Sequence, residues 1–317
     1  MNSEFAFTSI NLLILFKTFI ILRIINFINQ IMKKNSYFRN SIVSSILVAF
    51  MVSPIAFSQS GAVKLFYNYP AGKPVKYLNV SKIIQTMDVM GQVMEVNVSA
   101  VLGCSIKSKG MLNKNLNLEV TIDSMYQKVD SPQGTLGGTL KDAAGKVFNM
   151  TITPEGKEID LTEAGKIVIN IEGSGSTDAA QSFSEFFPDL PAGSVSPGYT
   201  WADTDTLKTK SSGSSSVTSI NSENVFVGFE DFNGIKCAKI TSSLSGDRVM
   251  VTQSQGMDIT VKGPYTGTSV LLFSPESGYF LKQTVTSKQT GTIEITSPEV
   301  MSFPVVMDMT SVNEVVK

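Results

Sequence analysis

The sequence predicts a mainly β protein: a curved antiparallel sheet, forming an open half-barrel, with one short helix packed on it. Apolar and polar residues alternate in residues 116–122, where every second residue is Leu, Val or Ile. Successive side chains of a strand point to opposite faces, so this pattern is typical of an antiparallel sheet covered on one side. Turn signals recur at short intervals, which favours hairpins over β–α–β units. These signals are Met90-Gly91, Pro154-Glu155-Gly156, Asn233-Gly234, Gly246-Asp247 and Pro275-Glu276-Ser277-Gly278.

One segment, residues 177–187, is predicted to be a helix. Asp178 can cap its first turn, with Gln181 three residues later as the capping-box partner. Pro188 then ends the helix. Three aromatic residues share one face at helical spacing: Phe183, Phe186 and Phe187.

Residues 59–317 are predicted to form a single β domain of 259 residues. The alternative is two similar β halves, about 63–172 and 190–312, joined by the helix at 177–187. Each half contains a strand, a Pro-Glu turn and a second strand, which convergent hairpin chemistry explains equally well. These segments are residues 148–159 and 270–281.

Residues 32–58 have the pattern of a signal peptide for export. A cationic start at Met32 is followed by an apolar core at 42–52 and by Ala56-Phe57-Ser58, a small-x-small cleavage motif. Cleavage is predicted after Ser58, and no cysteine follows closely enough to carry a lipid. We therefore expect a periplasmic or secreted protein with no membrane span in its mature chain.

Residues 1–31 are interpreted as an untranslated leader upstream of the true start at Met32. Their apolar run contains Lys17 and Arg23, and each would cost about 2.5–3.5 kcal/mol at the centre of a membrane helix. The alternative is a real membrane anchor.

Charge and histidine content exclude several functions. The first 58 residues hold five of the 26 basic residues and one of the 27 acidic residues, so residues 59–317 carry a net charge of −5. Their single arginine is Arg248 and they have no basic cluster, which argues against nucleic-acid binding. The chain has no histidine, so Ser-His-Asp and Cys-His catalysis and the usual zinc sites are excluded. We predict no enzyme activity, no cofactor and no metal site.

The middle of the chain carries a spaced motif of two prolines, a valine, a glycine and a tryptophan: Pro188, Pro191, Val195, Gly198 and Trp201. With this motif the chain resembles a family of uncharacterised exported proteins from Gram-negative bacteria, which look like open β half-barrels related in shape to the lipoprotein carriers LolA and LolB. The resemblance also covers the first strand at residues 69–77 and the two Pro-Glu hairpins, and it spans most of residues 63–312. It implies a curved sheet around an apolar groove for lipid, with no catalytic residues to transfer.

Nine residues are candidates for lining such a groove. Methionine adapts to irregular apolar ligands, and ligand sites are mostly concave and apolar. The alternative is that the methionines and the tryptophan fill an ordinary core, and that the phenylalanines dock the helix permanently rather than form a lid. The candidates are Met87, Met94, Met125, Met150, Phe183, Phe186, Phe187, Trp201 and Met257.

Two further pairs of residues have side chains that could carry chemistry. Cys104 and Cys237 are a possible disulfide in an oxidising compartment or two separate buried thiols. Asp203 and Asp205 are expected on an exposed strand face, because a calcium loop needs further acids and a glycine.

The leading hypothesis is an exported, non-enzymatic β protein that holds a hydrophobic or lipid-like ligand against an apolar inner wall. The alternative is a structural or protein-interaction module of the cell envelope, with a filled interior. A remote alternative is a carboxylate-dependent hydrolase, which requires two acids that converge in a cleft.

Overall fold

The structure is a computed structural model that describes residues 61–89, 91–171, 175–211, 214–254, 257–297 and 300–316. The leader, the signal peptide and the cleavage site after Ser58 lie outside these residues and stay predictions. None of the helices in the described ranges has the length and apolar character that a membrane crossing requires.

Strands dominate the described residues, which confirms the predicted class. In chain order they are β1 (Val63–Lys64), β2 (Val75–Val89), β3 (Gln92–Leu112), β4 (Asn115–Ser131), β5 (Gly134–Thr139), β6 (Val147–Ile152), β7 (Glu158–Asp160), β8 (Val168–Ile171), β9 (Gly175–Asp178), β10 (Ser194–Val195), β11 (Thr200–Ser211), β12 (Ser214–Phe232), β13 (Ile235–Ser254), β14 (Met257–Ser274), β15 (Tyr279–Ser297) and β16 (Met301–Val316).

Twelve of these strands, within the described ranges, form one antiparallel sheet. Its order is β11-β12-β13-β14-β15-β16-β2-β3-β4-β6-β7, with β5 paired to β4 off this path. The C-terminal strand β16 lies beside β2, so the last and the first long strands join the two parts of the chain in the same sheet. The small pairs β1–β10 and β8–β9 stand apart from it.

The sheet is strongly curved. Its edge strands β7 and β11 are ten strand-to-strand steps apart, which is about 48 Å in a flat sheet at about 4.8 Å per step. Yet Lys157, just before β7, places its Nζ 3.5 Å from Oδ2 of Asp203 in β11. The sheet therefore bends until its two edges nearly meet, as the predicted open half-barrel requires.

Glycines within the long strands allow this bending. The predicted turn at Gly246-Asp247 is wrong, because both residues lie inside β13 and pair with β14. A Cβ atom on Gly246 would collide with the backbone oxygen of Ser219 on β12, and one on Gly263 with that of Thr290 on β15. Glycine is required where neighbouring strands approach this closely, and such positions mark bends of a curved sheet.

An aromatic core fills one end of the half-barrel. The segment that follows β1 contributes Leu65, Tyr67 and Tyr69, all 1–2% exposed. The backbone N–H of Tyr67 donates to the Pro154 carbonyl at 2.7 Å, and that of Asn68 to the Gly278 carbonyl at 2.7 Å. Both Pro-Glu turns therefore converge on the same N-terminal segment and close this end of the sheet.

The helix α1 (Ala179–Phe183) is shorter than the predicted range of 177–187. Its cap is confirmed, since the Gln181 backbone N–H donates to Oδ1 of Asp178 at 3.3 Å. The helix does not continue to residue 187, because Phe187 precedes Pro188 and a residue before a proline disfavours helical backbone. The Phe187 N–H instead donates to Oε1 of Glu158 at 3.4 Å.

The three phenylalanines are buried although only one lies in the helix. Phe183, Phe186 and Phe187 are 0%, 5% and 3% exposed. Phe183 packs edge-on against Phe148 at 5.1 Å between ring centroids, and Phe186 against Tyr77 at 5.5 Å. These contacts dock the segment firmly on the sheet.

Candidate functional site

A cavity of about 490 Å³ lies between the concave face of the sheet and the segment 181–189. Its wall is contributed by β2, β3, β4 and β11 to β16. The volume falls within the range of about 300–1,000 Å³ that is usual for small-molecule sites.

A row of small polar side chains crosses the floor of the cavity. Asn224 lies opposite Ser242, Ser242 opposite Ser269, and Ser311 opposite Ser81, with only Val285 between the two groups. The hydroxyls of Ser81 and Ser311 are 2.9 Å apart and hydrogen-bonded. We call this set the polar row: Asn224, Ser242, Ser269, Ser311 and Ser81.

Three amides form the next row towards the aromatic core. Gln283 lies opposite Asn313, and Asn313 lies opposite Asn79. The Asn79 side chain is satisfied, because its Nδ2 donates to the Ser311 hydroxyl at 3.1 Å and its Oδ1 accepts from Ser81 at 2.9 Å. Asn313 is 4% exposed, and its Oδ1 has no hydrogen-bond partner among the described residues.

Apolar side chains complete the wall beside these rows. They come from both the sheet and the segment that follows α1, so the ligand space is amphipathic rather than uniformly apolar. The main contributors are Leu102, Met125, Ile240, Leu271, Phe186 and Phe187.

The concave face continues into a second apolar cluster. On β16, Met309 lines the cavity, and Met307 and Val305 follow at two-residue steps, which keeps them on the same face. We call this set the far cluster: Val261, Ile293 and Val305, packed with Met87, Met250, Ile259, Ile295 and Met307. A polar floor and an apolar extension therefore share one concave surface.

Acidic residues gather where the sheet edges approach. Asp189 and Asp203 both line the cavity, and burial raises the pKa of the Asp189 carboxyl to about 6, although the charge of Lys157 opposes the shift. Burial likewise raises the pKa of Glu158 to about 8. Asp205 also lines the cavity. It is exposed, as expected for this strand face, whereas Asp203 is half-buried.

Arg248 lines the same cavity from β13. Its Nε donates to the hydroxyl of Thr218 at 3.3 Å, and its guanidinium stacks over the Tyr265 ring at 5.5 Å. Its charge also acts on the Glu185 carboxylate. The arginine is therefore held by contacts within the protein.

The predicted ligand residues are only partly brought together. Met125, Phe186 and Phe187 line the cavity, and Met87 belongs to the far cluster with Met94 opposite it. Met150 and Phe183 are in the core, 1% and 0% exposed. Trp201 packs against that core and stacks on Tyr199 at 6.0 Å, and the side chain of Met257 lies outside the described residues.

The cysteines are free thiols in separate places. Cys104 is buried in the main core, and Cys237 packs with Leu272 and Leu281 in another cluster. Burial raises the pKa of both thiols, that of Cys237 to about 11, so neither is a reactive thiolate at neutral pH.

Sequence reasoning missed the polar row, the amides and the acids of the cavity. The only available signal was the abundance of Ser and Asn in apolar-alternating strands, such as Ser242-Ser243. Among the described residues, no group of three or more Cys, Asp or Glu could hold a metal ion.

No protein-family model matches the sequence, and no curated protein matches it. Among solved structures, the chain is similar to a protein described as exported, with a YmcC-like fold, from Bacteroides fragilis: TM-score 0.22, 10% identity, 77% of this chain and 98% of the other. It is also similar to a domain described as outer membrane lipoprotein-sorting from Vibrio parahaemolyticus: TM-score 0.12, 8% identity, 75% and 83% covered. At these TM-scores neither likeness supports a conclusion about function.

Proposed function

We propose that this protein is an exported, non-enzymatic binding protein for an amphiphilic small molecule. The observation that carries the proposal is the concave face, where a cavity with a polar floor adjoins the apolar far cluster. A ligand with a polar head and a hydrocarbon tail matches this division. Burying the tail contributes about 25 cal/mol per Å² of apolar area removed from water.

The polar floor narrows the hydrophobic or lipid-like ligand expected from the sequence to one that has a polar head. An uninterrupted hydrocarbon would offer no hydrogen bond to the polar row or to Asn313, whose buried Oδ1 has no partner among the described residues, and unpaired buried polar groups cost free energy. The alternative of an envelope interaction module expected a filled interior, and the cavity of about 490 Å³ argues against it.

Export is supported by the signal-peptide pattern of residues 32–58. Expression of the full-length sequence in a Gram-negative host and N-terminal sequencing of the product tests this part. We expect a mature chain that begins at Gln59; an uncleaved chain in the cytoplasm would remove export from the proposal.

Ligand binding is tested by native mass spectrometry of the protein purified from its own envelope. We expect an added mass that organic extraction removes and that tandem spectra assign to an amphiphile. The variant Ser242→Phe should lose this mass, because Ser242 lines the cavity. Ser243→Phe is the matched control, since Ser243 is exposed on the opposite face of β13.

Circular dichroism checks that both variants are folded, because each must retain the β spectrum of the wild type. Equal ligand mass on the wild type and a folded Ser242→Phe variant would show that the ligand lies elsewhere. A wild-type protein that carries no amphiphile and takes none up would end the binding hypothesis.

One observation favours a second candidate, the carboxylate-dependent hydrolase. Asp189 and Asp203 both line the cavity, and burial together with the charge of Asp203 raises the pKa of Asp189, so two acids converge there as such an enzyme requires. Asp203 also pairs with Lys157 across the sheet edges, a structural role that explains its position without catalysis. A panel of chromogenic glycosides decides between the roles: turnover by the wild type that is lost in Asp189→Asn would establish the enzyme.

A further inference from the structure

We infer that the polar part of the ligand is an uncharged group with several hydroxyls, such as a sugar headgroup, bound by the polar row and the neighbouring amides. This inference rests on the proposed function and specifies the chemical class of its ligand.

The first argument is the kind of side chain on the cavity floor. Serine hydroxyls and the amides of Asn and Gln each offer both a donor and an acceptor. The polar row and its neighbours repeat these groups across six adjacent strands, including Ser242, Ser269 and Ser311. A ligand hydroxyl also donates and accepts, so a polyhydroxyl group satisfies such a surface without a net charge on either side.

The second argument is the buried amide of Asn313. Its Oδ1 has no partner among the described residues although the side chain is 4% exposed and lines the cavity. Buried amides are nearly always hydrogen-bonded, and its neighbour Asn79 is bonded to Ser311 and Ser81. Because Asn313 lies on the cavity wall, a turn of its amide plane would bring this oxygen to a ligand hydroxyl, which would supply the missing partner.

The third argument is the charge of the wall. Arg248 is the one cationic side chain among the described residues that line the cavity, against five acidic ones: Glu158, Glu185, Asp189, Asp203 and Asp205. A carboxylate or phosphate head would therefore meet more acidic than basic side chains. A cationic head would meet a wall whose acidic charge is partly offset, because Lys157 pairs with Asp203 and burial raises the pKa of Glu158 to about 8.

The test compares ligands that share an eight-carbon chain and differ only in the head. The probes are n-octyl-β-D-glucoside, octanoate and octylammonium, titrated calorimetrically into delipidated protein below their micelle-forming concentrations. We expect the glucoside to bind at least about tenfold more tightly than either ion. A carboxylate can only accept and an ammonium can only donate, so each ion pairs only part of the hydroxyls and amides, and its charge must also leave water. Free glucose is the fourth probe and should bind more weakly than the glucoside, because it lacks the tail.

The variant Asn313→Leu should bind the glucoside about tenfold more weakly than the wild type, with octanoate unchanged. Asn149→Leu is the matched control: its Oδ1 is also buried and unpartnered, but Asn149 is absent from the cavity wall and should leave glucoside binding unchanged. Chemical denaturation checks that each variant is folded.

The outcomes separate this inference from the proposed function. Octanoate or octylammonium binding as tightly as the glucoside, or glucoside affinity unaffected in Asn313→Leu, overturns the hydroxyl head while amphiphile binding stands. Glucose binding as tightly as the glucoside supports the hydroxyl site and overturns the amphiphile. If none of the four probes binds, both proposals fail.

Discussion

The Oδ1 of Asn313 is buried and has no hydrogen-bond partner among the described residues. An unpaired buried polar group costs about 1–3 kcal/mol of folding free energy. Leucine has a similar size and no polar atoms, so we predict that Asn313→Leu raises the free energy of unfolding of the ligand-free protein by about 1 kcal/mol. Urea denaturation measures this change.

The neighbouring residue provides the opposite control. Asn79 makes hydrogen bonds to Ser311 and Ser81, so Asn79→Leu should lower the free energy of unfolding by about 1–2 kcal/mol. Equal losses of stability in the two variants would mean that the Asn313 side chain already has a hydrogen-bond partner in the ligand-free protein. It would then need no partner from a ligand.

Glu158 makes stability depend on pH. Burial raises its pKa from the ordinary value of 4.5 to about 8, so the folded state holds this proton more tightly than the unfolded chain. Its stabilising contribution is complete below about pH 4.5 and is lost as the pH rises towards 8. The free energy of unfolding should therefore fall across this window, by at most about 1.4 kcal/mol per pH unit from this group.

The variant Glu158→Gln isolates the effect because glutamine does not titrate and its carbonyl still accepts from the Phe187 N–H. Urea titrations at pH 5, 6, 7 and 8 should show a shallower fall in the variant than in the wild type. Parallel curves would show that Glu158 keeps an ordinary pKa. Asp189, with a pKa of about 6, should account for part of the fall that remains below pH 6.

At the scale of elements, the two Pro-Glu turns hold the N-terminal segment in place. Gly278 has a φ of +76°, and a Cβ on it would lie 2.8–3.0 Å from the backbone and Cβ of Asn68. We predict that Gly278→Ala lowers the free energy of unfolding by about 2 kcal/mol, because the added carbon clashes and the backbone is strained.

Gly72 is the control for this substitution. A Cβ there would have open space around it, so Gly72→Ala should change the free energy of unfolding by no more than about 0.5 kcal/mol. Similar losses in the two variants, measured by chemical denaturation, would mean that the turn does not press on the segment.

The sequence predicted those elements whose signal is local. The alternation of residues 116–122 is confirmed in β4, where Leu116, Leu118, Val120 and Ile122 are 0–3% exposed. The cap at Asp178 is also local and confirmed. The turn predicted at Gly246-Asp247 was wrong, because this dipeptide suits both a tight turn and a bend within a strand. Only the packing of Gly246 against Ser219 distinguishes the two structures.

The candidate site could not be predicted because it depends on register between distant strands. Ser81 and Ser311 are hydrogen-bonded across 230 residues of sequence, and nothing near either residue indicates its partner. Hydrophobic alternation also assigns polar residues to the wet face, whereas Asn224 and Ser269 are buried on the concave face. The cavity floor therefore has the composition that is typical of a solvent-exposed face.

For the whole molecule, curvature is the property on which the cavity depends. Residues of β4 and β11 line the same space although eight strand-to-strand steps separate these strands, about 38 Å in a flat sheet. The sheet edges are joined through the ion pair of Lys157 and Asp203. Such a partly exposed ion pair contributes at most about 1 kcal/mol to stability, so the buried aromatic core mainly holds the edges together. The ion pair can therefore serve as a probe of whether the two edges are in contact.

This closure is directly testable by zero-length cross-linking with a carbodiimide, which couples an amine only to a carboxylate in contact with it. In dilute protein we predict an amide between Lys157 and Asp203, whose side chains are 52% and 33% exposed and reachable by the reagent. Mass spectrometry of the digested monomer identifies the joined peptides. The pair of Lys239 and Glu230, 2.7 Å apart in adjacent strands, is the positive control.

The variant Lys157→Arg removes the reactive amine but keeps the charge. Its digest should therefore lose the 157–203 product and retain the 230–239 product. If the wild type gave the control product without the 157–203 product, the edges would be apart in solution and the cavity would lack its closed wall.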